Sequence, residues 1–335
     1  MPGRNVLVAC SLTALLFLVV NLAVNRAAIN SVPRQTLRAI DAAPPVIGMF
    51  ATGGSLVAAG FDAATVEGAF ESSGHPLVVV NGALGATDSL EHLLLLRRAL
   101  QHHTVQELVY GFFDQQMSDD MPLENSNLIG NHAMLYYEEP QIVVRYARFD
   151  LMNLITFQAY RCCAVFRERG TIWARVEKLR RAMAAVGMPR QETNRFGRAE
   201  DFDLLESVSP QAFTQRCNQV LQTGQMLSPR IQEMFQEAGA RGVKIIVVEM
   251  PLHSWHVKTF YELPVWSEFR RATRQAVERA GASYIDASHW IPEESQFDDH
   301  VHLGPSGAVR FSRLLAERLL TGVPSPVTAG VAGTQ

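Results

Sequence analysis

The chain has 335 residues, with 30 Lys and Arg against 33 Asp and Glu and a formal net charge of −3 at pH 7. Apolar residues make up 47% of it, enough to bury a sizeable core, which excludes disordered and collagen-like classes. The near-even charge balance, without a dense basic block, argues against nucleic acid as a partner. Four cysteines (Cys10, Cys162, Cys163, Cys217) form no Cys-x-x-Cys pair, so zinc ribbons and thioredoxin-like redox sites are not expected.

Residues 6–24, VLVACSLTALLFLVVNLAV, carry no charge. As a helix this run would extend about 28 Å, close to the hydrocarbon thickness of a bilayer. A secretory signal has a shorter apolar core, about 7–15 residues, and a small-residue cleavage site behind it. Here Asn25 and Arg26 follow instead. The spacing predicts an uncleaved signal anchor and transmembrane helix over 1–25. Arg4 lies on its N side against Arg26, Arg34 and Arg38 on its C side, which mildly opposes export, but long domains cross largely regardless of such counts. The expectation is a single-pass cell-membrane protein with its main domain extracytoplasmic. Cys163 and Cys217 are then candidates for a disulfide.

A linker over 26–45 ends in Pro44-Pro45. Beyond it, strand-length runs rich in β-branched and aromatic residues recur at 46–50, 77–81, 107–113, 244–250 and 283–287. Helical patterns occupy 88–101, 209–239, 264–280 and 305–320. Alternation of this kind predicts a parallel five-stranded sheet with helices on both faces, an α/β domain over 46–320. The third and fourth strands are too far apart for one crossover, so 115–240 is read as a mostly helical insertion. Residues 321–335 are read as a disordered tail.

Ligands of open parallel sheets bind beyond the carboxyl ends of the strands. There the first strand runs into Gly53-Gly54-Ser55-Leu56, where two glycines permit a tight turn that presents Ser55 at a helix start. Such a position offers backbone N–H donors to a developing oxyanion. A plain Gly-Ser helix cap has the same pattern. GMFATGGS also has the outer spacing of a nucleoside-triphosphate loop, but Gly54 stands where the phosphate-binding lysine belongs. Near the C-terminus, Asp299 and His302 are three residues apart before the last helix. A carboxylate there can hold one imidazole nitrogen and leave the other to take a proton from Ser55. Asp298, Asp299, His300 and His302, with His253 and His256 upstream, also permit a metal reading, which lacks a helix frame. No metal or cofactor is expected.

The order Gly-Gly-Ser-Leu after the first strand, Asn-Gly-x-x-Gly after the second and Asp-x-x-His before the last helix resembles the SGNH (GDSL-type) hydrolase superfamily. VVEMPLH (247–253), the YIDAS stretch and FDDHVHLGPSGA are similar to membrane-anchored SGNH-like proteins of bacterial envelope and exopolysaccharide systems. The resemblance covers about 46–114 and 241–320. It implies a flavodoxin-like α/β/α sandwich with Ser55 as nucleophile, His302 as general base and Asp299 as orienting acid. It also implies Gly85, in the Asn81–Gly85 block, as an oxyanion donor beside Ser55.

Two positions depart from the family pattern. Gly54 occupies the place of an Asp, and Phe113 stands in Gly111-Phe112-Phe113-Asp114 where an Asn donor is usual. Asn81 or a residue of the insertion is the candidate replacement donor. The implied function is an extracytoplasmic esterase or O-acetyltransferase on an acylated envelope glycan or a small acyl ester, working beside polysaccharide-biosynthesis proteins. A catalytically weak scaffold of such an assembly is the alternative. His253, after the fourth strand, is a candidate substrate contact. Tyr136, Tyr137, Arg145, Tyr146 and Arg148 of the insertion are candidates for lining a glycan groove.

Overall fold

The computed structural model describes residues 2–27, 31–120, 123, 132–147, 150–184 and 209–321. Its centre is a five-stranded, wholly parallel sheet in the order β2-β1-β3-β4-β5. The strands are β1 (Val46–Gly53), β2 (Val79–Asn81), β3 (Thr104–Phe112), β4 (Lys244–Glu249) and β5 (Ser283–Asp286). Both sheet faces are covered, as the apolar runs require. Along β4, Ile245 and Val247 enter one core while Ile246 and Val248 enter the other. In β3, Leu108, Tyr110 and Phe112 face the first core and Val109 the second.

In chain order the helices begin with α1 (Pro2–Ala27), α2 (Val32–Asp41), α3 (Ser55–Gly60), α4 (Ala63–Ser72) and α5 (Ser89–His102). The insertion contributes α6 (Ala133–Glu138), α7 (Pro140–Tyr146), α8 (Leu151–Cys162), α9 (Ala164–Arg167), α10 (Arg169–Ala184), α11 (Pro210–Thr223) and α12 (Pro229–Ala240). The last two large helices are α13 (Pro264–Arg279) and α14 (Pro305–Leu320). Side chains of α2, α5 and α12 build one core, and those of α3, α4, α11, α13 and α14 build the other.

The three-layer arrangement follows the expectation, with local differences. The pattern over 209–239 is two helices, because Gly224 adopts φ 70° at the end of α11 and Ser228 caps α12 through the Ile231 N–H. β2 is only three residues long and meets β1 from Val79 opposite Met49.

Among the described residues, no helix is long and apolar enough to cross a membrane. The transmembrane expectation for 6–24 therefore gains no support from the fold. α1 does leave Leu12, Leu15, Leu16 and Phe17 exposed. Its C-terminal half is tied to α9, where Asn21 Oδ1 accepts from the Val165 N–H at 3.2 Å and Asn25 Oδ1 from Arg167 at 2.8 Å.

The disulfide expectation is corrected. Cys10, Cys162, Cys163 and Cys217 are all free thiols. Cys217 accepts a hydrogen bond from Gln115, and Cys163 donates toward Asn21. Arg148 and residues 322–335 lie outside the described residues.

Candidate active site

The sheet order reverses at β1: the chain leaves β1 for β2 on one side and returns to β3 on the other. That reversal opens a crevice at the carboxyl ends of β1 and β3. Gly53 ends β1 with φ 149°, and a Cβ there would stand 2.4 Å from the Gly111 carbonyl oxygen. A Cβ on Gly111 would stand 2.3 Å from Val57. Only glycine at both places lets α3 turn directly onto the sheet, which puts Ser55 at the first position of that helix.

His302 comes from the loop ahead of α14. Its Nε2 lies 2.8 Å from Ser55 Oγ and its Nδ1 lies 2.8 Å from Asp299 Oδ2. Asp299 Oδ1 accepts from the backbone N–H groups of Val301 and His302 at 2.8 and 2.7 Å. Burial pushes the Asp299 carboxyl up, but its hydrogen bond to His302, the imidazole charge and those two N–H donors outweigh it and hold it below the ordinary value. Asp299 thus keeps its charge and its grip on Nδ1–H, leaving Nε2 as the acceptor facing the serine. Ser312 locks the two halves together, accepting from the Asp62 N–H and donating to the Gly60 carbonyl.

The loop after β2 borders the serine. A Cβ on Gly85 would stand 3.7 Å from Ser55 Cβ, so the Gly85 backbone is close to the nucleophile. The loop is fixed from below: Thr87 donates to the Leu84 carbonyl and bonds the His92 ring, whose other nitrogen bonds Tyr110. Burial drives the His92 imidazole down to about 3, so it stays neutral. From the insertion, the His132 ring bonds the Gly85 backbone, and burial lowers its basicity too.

Asn81 does not fit the donor role. Its amide donates to the carbonyls of Phe61 and Val57, and its Oδ1 accepts from the Ala83 N–H. Its hydrogen-bonding capacity is used in joining β2 to α3. Phe113 packs its ring edge-on to His256 and donates nothing.

The insertion, the other expected source of a donor, brings a side-chain amide close to the serine turn. The Gln116 amide nitrogen lies 3.0 Å from where a Cβ on Gly54 would be. Gln116 follows the turn at Asp114, which holds φ 48°. Gln116 is the second residue of the insertion, and no motif singled it out there. A second unanticipated pair is His256 and Asp114, joined at 2.9 Å.

His253 accepts from the Trp255 N–H through Nδ1, and its ring packs edge-on against Phe297 and His300 at 5.5 Å each. It therefore flanks the Asp299–His302 loop. Among the described residues, no three His, Cys, Asp or Glu side chains are gathered as a metal site. Tyr136 and Tyr137 are buried, the latter stacked on Phe157, while Arg145 and Tyr146 bond Glu233. Tyr136 and Tyr137 join the core that holds α5, and Arg145 and Tyr146 bond within the insertion, to α12.

No protein-family model matches the chain, and no curated protein matches it. Among solved structures it is similar to a lipase/acylhydrolase from Enterococcus faecalis, at 10% identity over 84% of this chain and 99% of that one, TM-score 0.40. It is likewise similar to a GDSL-like lipase from Bacteroides thetaiotaomicron, at 8% identity over 88% of this chain and 99% of that one, TM-score 0.38.

Proposed function

We propose that the chain is an SGNH-type serine acyl-transfer enzyme, an esterase or O-acyltransferase. The observation that carries this is the Ser55–His302–Asp299 line, two contacts of 2.8 Å made by residues from opposite ends of the chain. In this reading Ser55 Oγ bonds to the acyl carbon of an ester while its proton passes to His302 Nε2. The ester C–O bond then breaks, and the leaving alkoxide takes that proton. Water or a sugar hydroxyl next gives its proton to His302 and attacks the acyl-serine, which frees Ser55 to be reprotonated. Asp299 stays ionised and steadies the imidazolium formed in each half. On this reading the backbone N–H groups of Ser55 and Gly85 and the Gln116 amide serve as donors to the developing oxyanion, Gln116 in place of the side-chain donor absent at Phe113.

The substrate proposed is an O-acylated, acetyl-bearing glycan of the cell envelope. The support is the sequence resemblance, together with the exposed apolar side chains Leu12, Leu15, Leu16 and Phe17 of α1. On this reading the domain is extracytoplasmic and works beside polysaccharide-biosynthesis proteins.

The test is intact-protein and peptide mass spectrometry of the full chain in detergent after exposure to p-nitrophenyl acetate. One acetyl group on the Ser55 peptide is expected, absent in Ser55→Ala and His302→Ala. A folded wild type that never acquires the label would leave the scaffold reading in its place.

A further inference from the structure

The turn after β3 carries chemistry that the triad does not use. Between this turn and α11 lies a cleft of 810 Å³, lined among others by Phe113, Asp114, Gln116, Phe213, Arg216 and His256. Gln116 belongs both to this cleft and to the surroundings of Gly54, the residue before Ser55.

The His256 side chain is 2% exposed. Its Nε2 pairs with Asp114 Oδ1, whereas its Nδ1 is buried without a hydrogen-bond partner. A buried polar atom left unpaired is unfavourable, and native structures seldom keep one without a use. The turn around it is held rigid. The Asp114 N–H donates to the Tyr261 hydroxyl, Gln115 donates to Cys217 Sγ, and Ser118 donates to the Gln115 carbonyl. Asp114 itself sits in the left-handed region, a conformation that persists where surroundings enforce it.

Two further properties narrow the ligand. Partly exposed Phe113 gives the cleft an aromatic wall, backed by the buried rings of Phe213 and Phe260, 4.9 Å apart. Among the described residues its charged lining is the carboxylates of Asp114, Asp119 and Asp120 and the guanidinium of Arg216. Aromatic faces suit the C–H faces of sugar rings, carboxylates and imidazoles suit hydroxyl groups, and an excess of carboxylates repels polyanions.

We propose that this cleft is a carbohydrate subsite that takes a neutral or amine-bearing sugar and rejects uronic-acid polymers, with the Asp114–His256 pair bonding the sugar hydroxyls. The proposal rests on the reading of Ser55 as acting on acylated glycans, and it assigns the sugar a place and a charge class.

Binding is measured by isothermal titration on the full chain carrying Ser55→Ala, in detergent, with chitotetraose, its deacetylated tetramer and tetragalacturonate. One of the first two should bind, with tetragalacturonate at least tenfold weaker. His256→Phe should weaken that binding tenfold or more. So should Gln219→Trp, which blocks the cleft from an exposed position on α11 and leaves the core alone. Failure of both chitin-derived tetramers to bind, equal binding of tetragalacturonate, or undiminished binding in Gln219→Trp would overturn the proposal. Since these titrations use a chain without its serine, they are independent of acetyl labelling. Labelling without sugar binding rejects the cleft alone, and binding without labelling rejects the catalytic reading alone.

Discussion

Gly54 and Gln116 explain each other. A side chain at position 54 would press on the Gln116 amide, so the glycine found where the resembled family carries Asp leaves room for that amide beside the nucleophile. If Gln116 is an oxyanion donor, Gln116→Ala should slow acylation of Ser55 by roughly 100- to 1000-fold, the usual effect of losing one such group. Single-turnover kinetics with p-nitrophenyl acetate measure this directly, and a change below threefold would reduce Gln116 to lining. The residues of the triad were legible because each sits in a pattern with its own physics: a glycine-bracketed turn after a strand for Ser55, and a carboxylate three residues from a histidine ahead of a helix for Asp299 and His302. Which residue of the insertion would come near the serine, and that His256 would pair with Asp114, were not. Asp114 and His256 are 142 residues apart, and neither Gln116 nor His256 sits in a pattern that announces its neighbours. Asn81 misled for a related reason, since an amide beside the right glycines reveals nothing about which carbonyls it will meet.

At the scale of elements, the ends of β4 and β5 are joined through α13 by a charged network. Glu249 is fully buried and accepts from Arg270 at 2.9 Å and from Tyr284 at 2.5 Å, while Arg270 also pairs with Asp286 at 3.1 Å. Removing one partner of a buried pair typically costs about 3–5 kcal/mol, because the remaining charge is left unpaired. Arg270→Met should therefore destabilise the fold by about that amount in urea unfolding at pH 8, and by less at pH 5, where Glu249 can take up a proton.

The wild type has a pH dependence of its own. Burial lifts Glu249 from 4.5 to about 7, and burial with the neighbouring Asp88 lifts Glu91 from 4.5 to about 8. Both groups hold protons in the folded state that the unfolded chain has released, so their contribution to stability should be full near pH 5 and fall as pH rises toward 8. Glu91→Gln should flatten part of that slope in thermal melts, and an unchanged slope would remove Glu91 from the account. The strands and flanking helices behind these networks were readable from apolar run lengths. The aromatic residues of the insertion were not, because Tyr and Arg along a helix look alike whether they bury against a core, as Tyr136 and Tyr137 do, or face a ligand.

Across the whole molecule, the class of fold was readable because alternating buried strands and amphipathic helices admit few arrangements, and the right-handed crossover rule removes most of those. The path of the insertion between β3 and β4 is not dictated by any such rule. The structure adds a dependence of chemistry on completion. Ser55 and His302 are separated by 247 residues, and His302 is set by a loop that leads straight into the final helix. In refolding from urea, acetyl labelling of Ser55 should therefore appear no earlier than the burial of Trp266, followed by fluorescence, in the core that α14 closes. Labelling that preceded it would show that the base is in place before that core forms. On the proposed reading, a chain still being synthesised carries Ser55 long before His302, so the serine gains its base only when the last loop is in place.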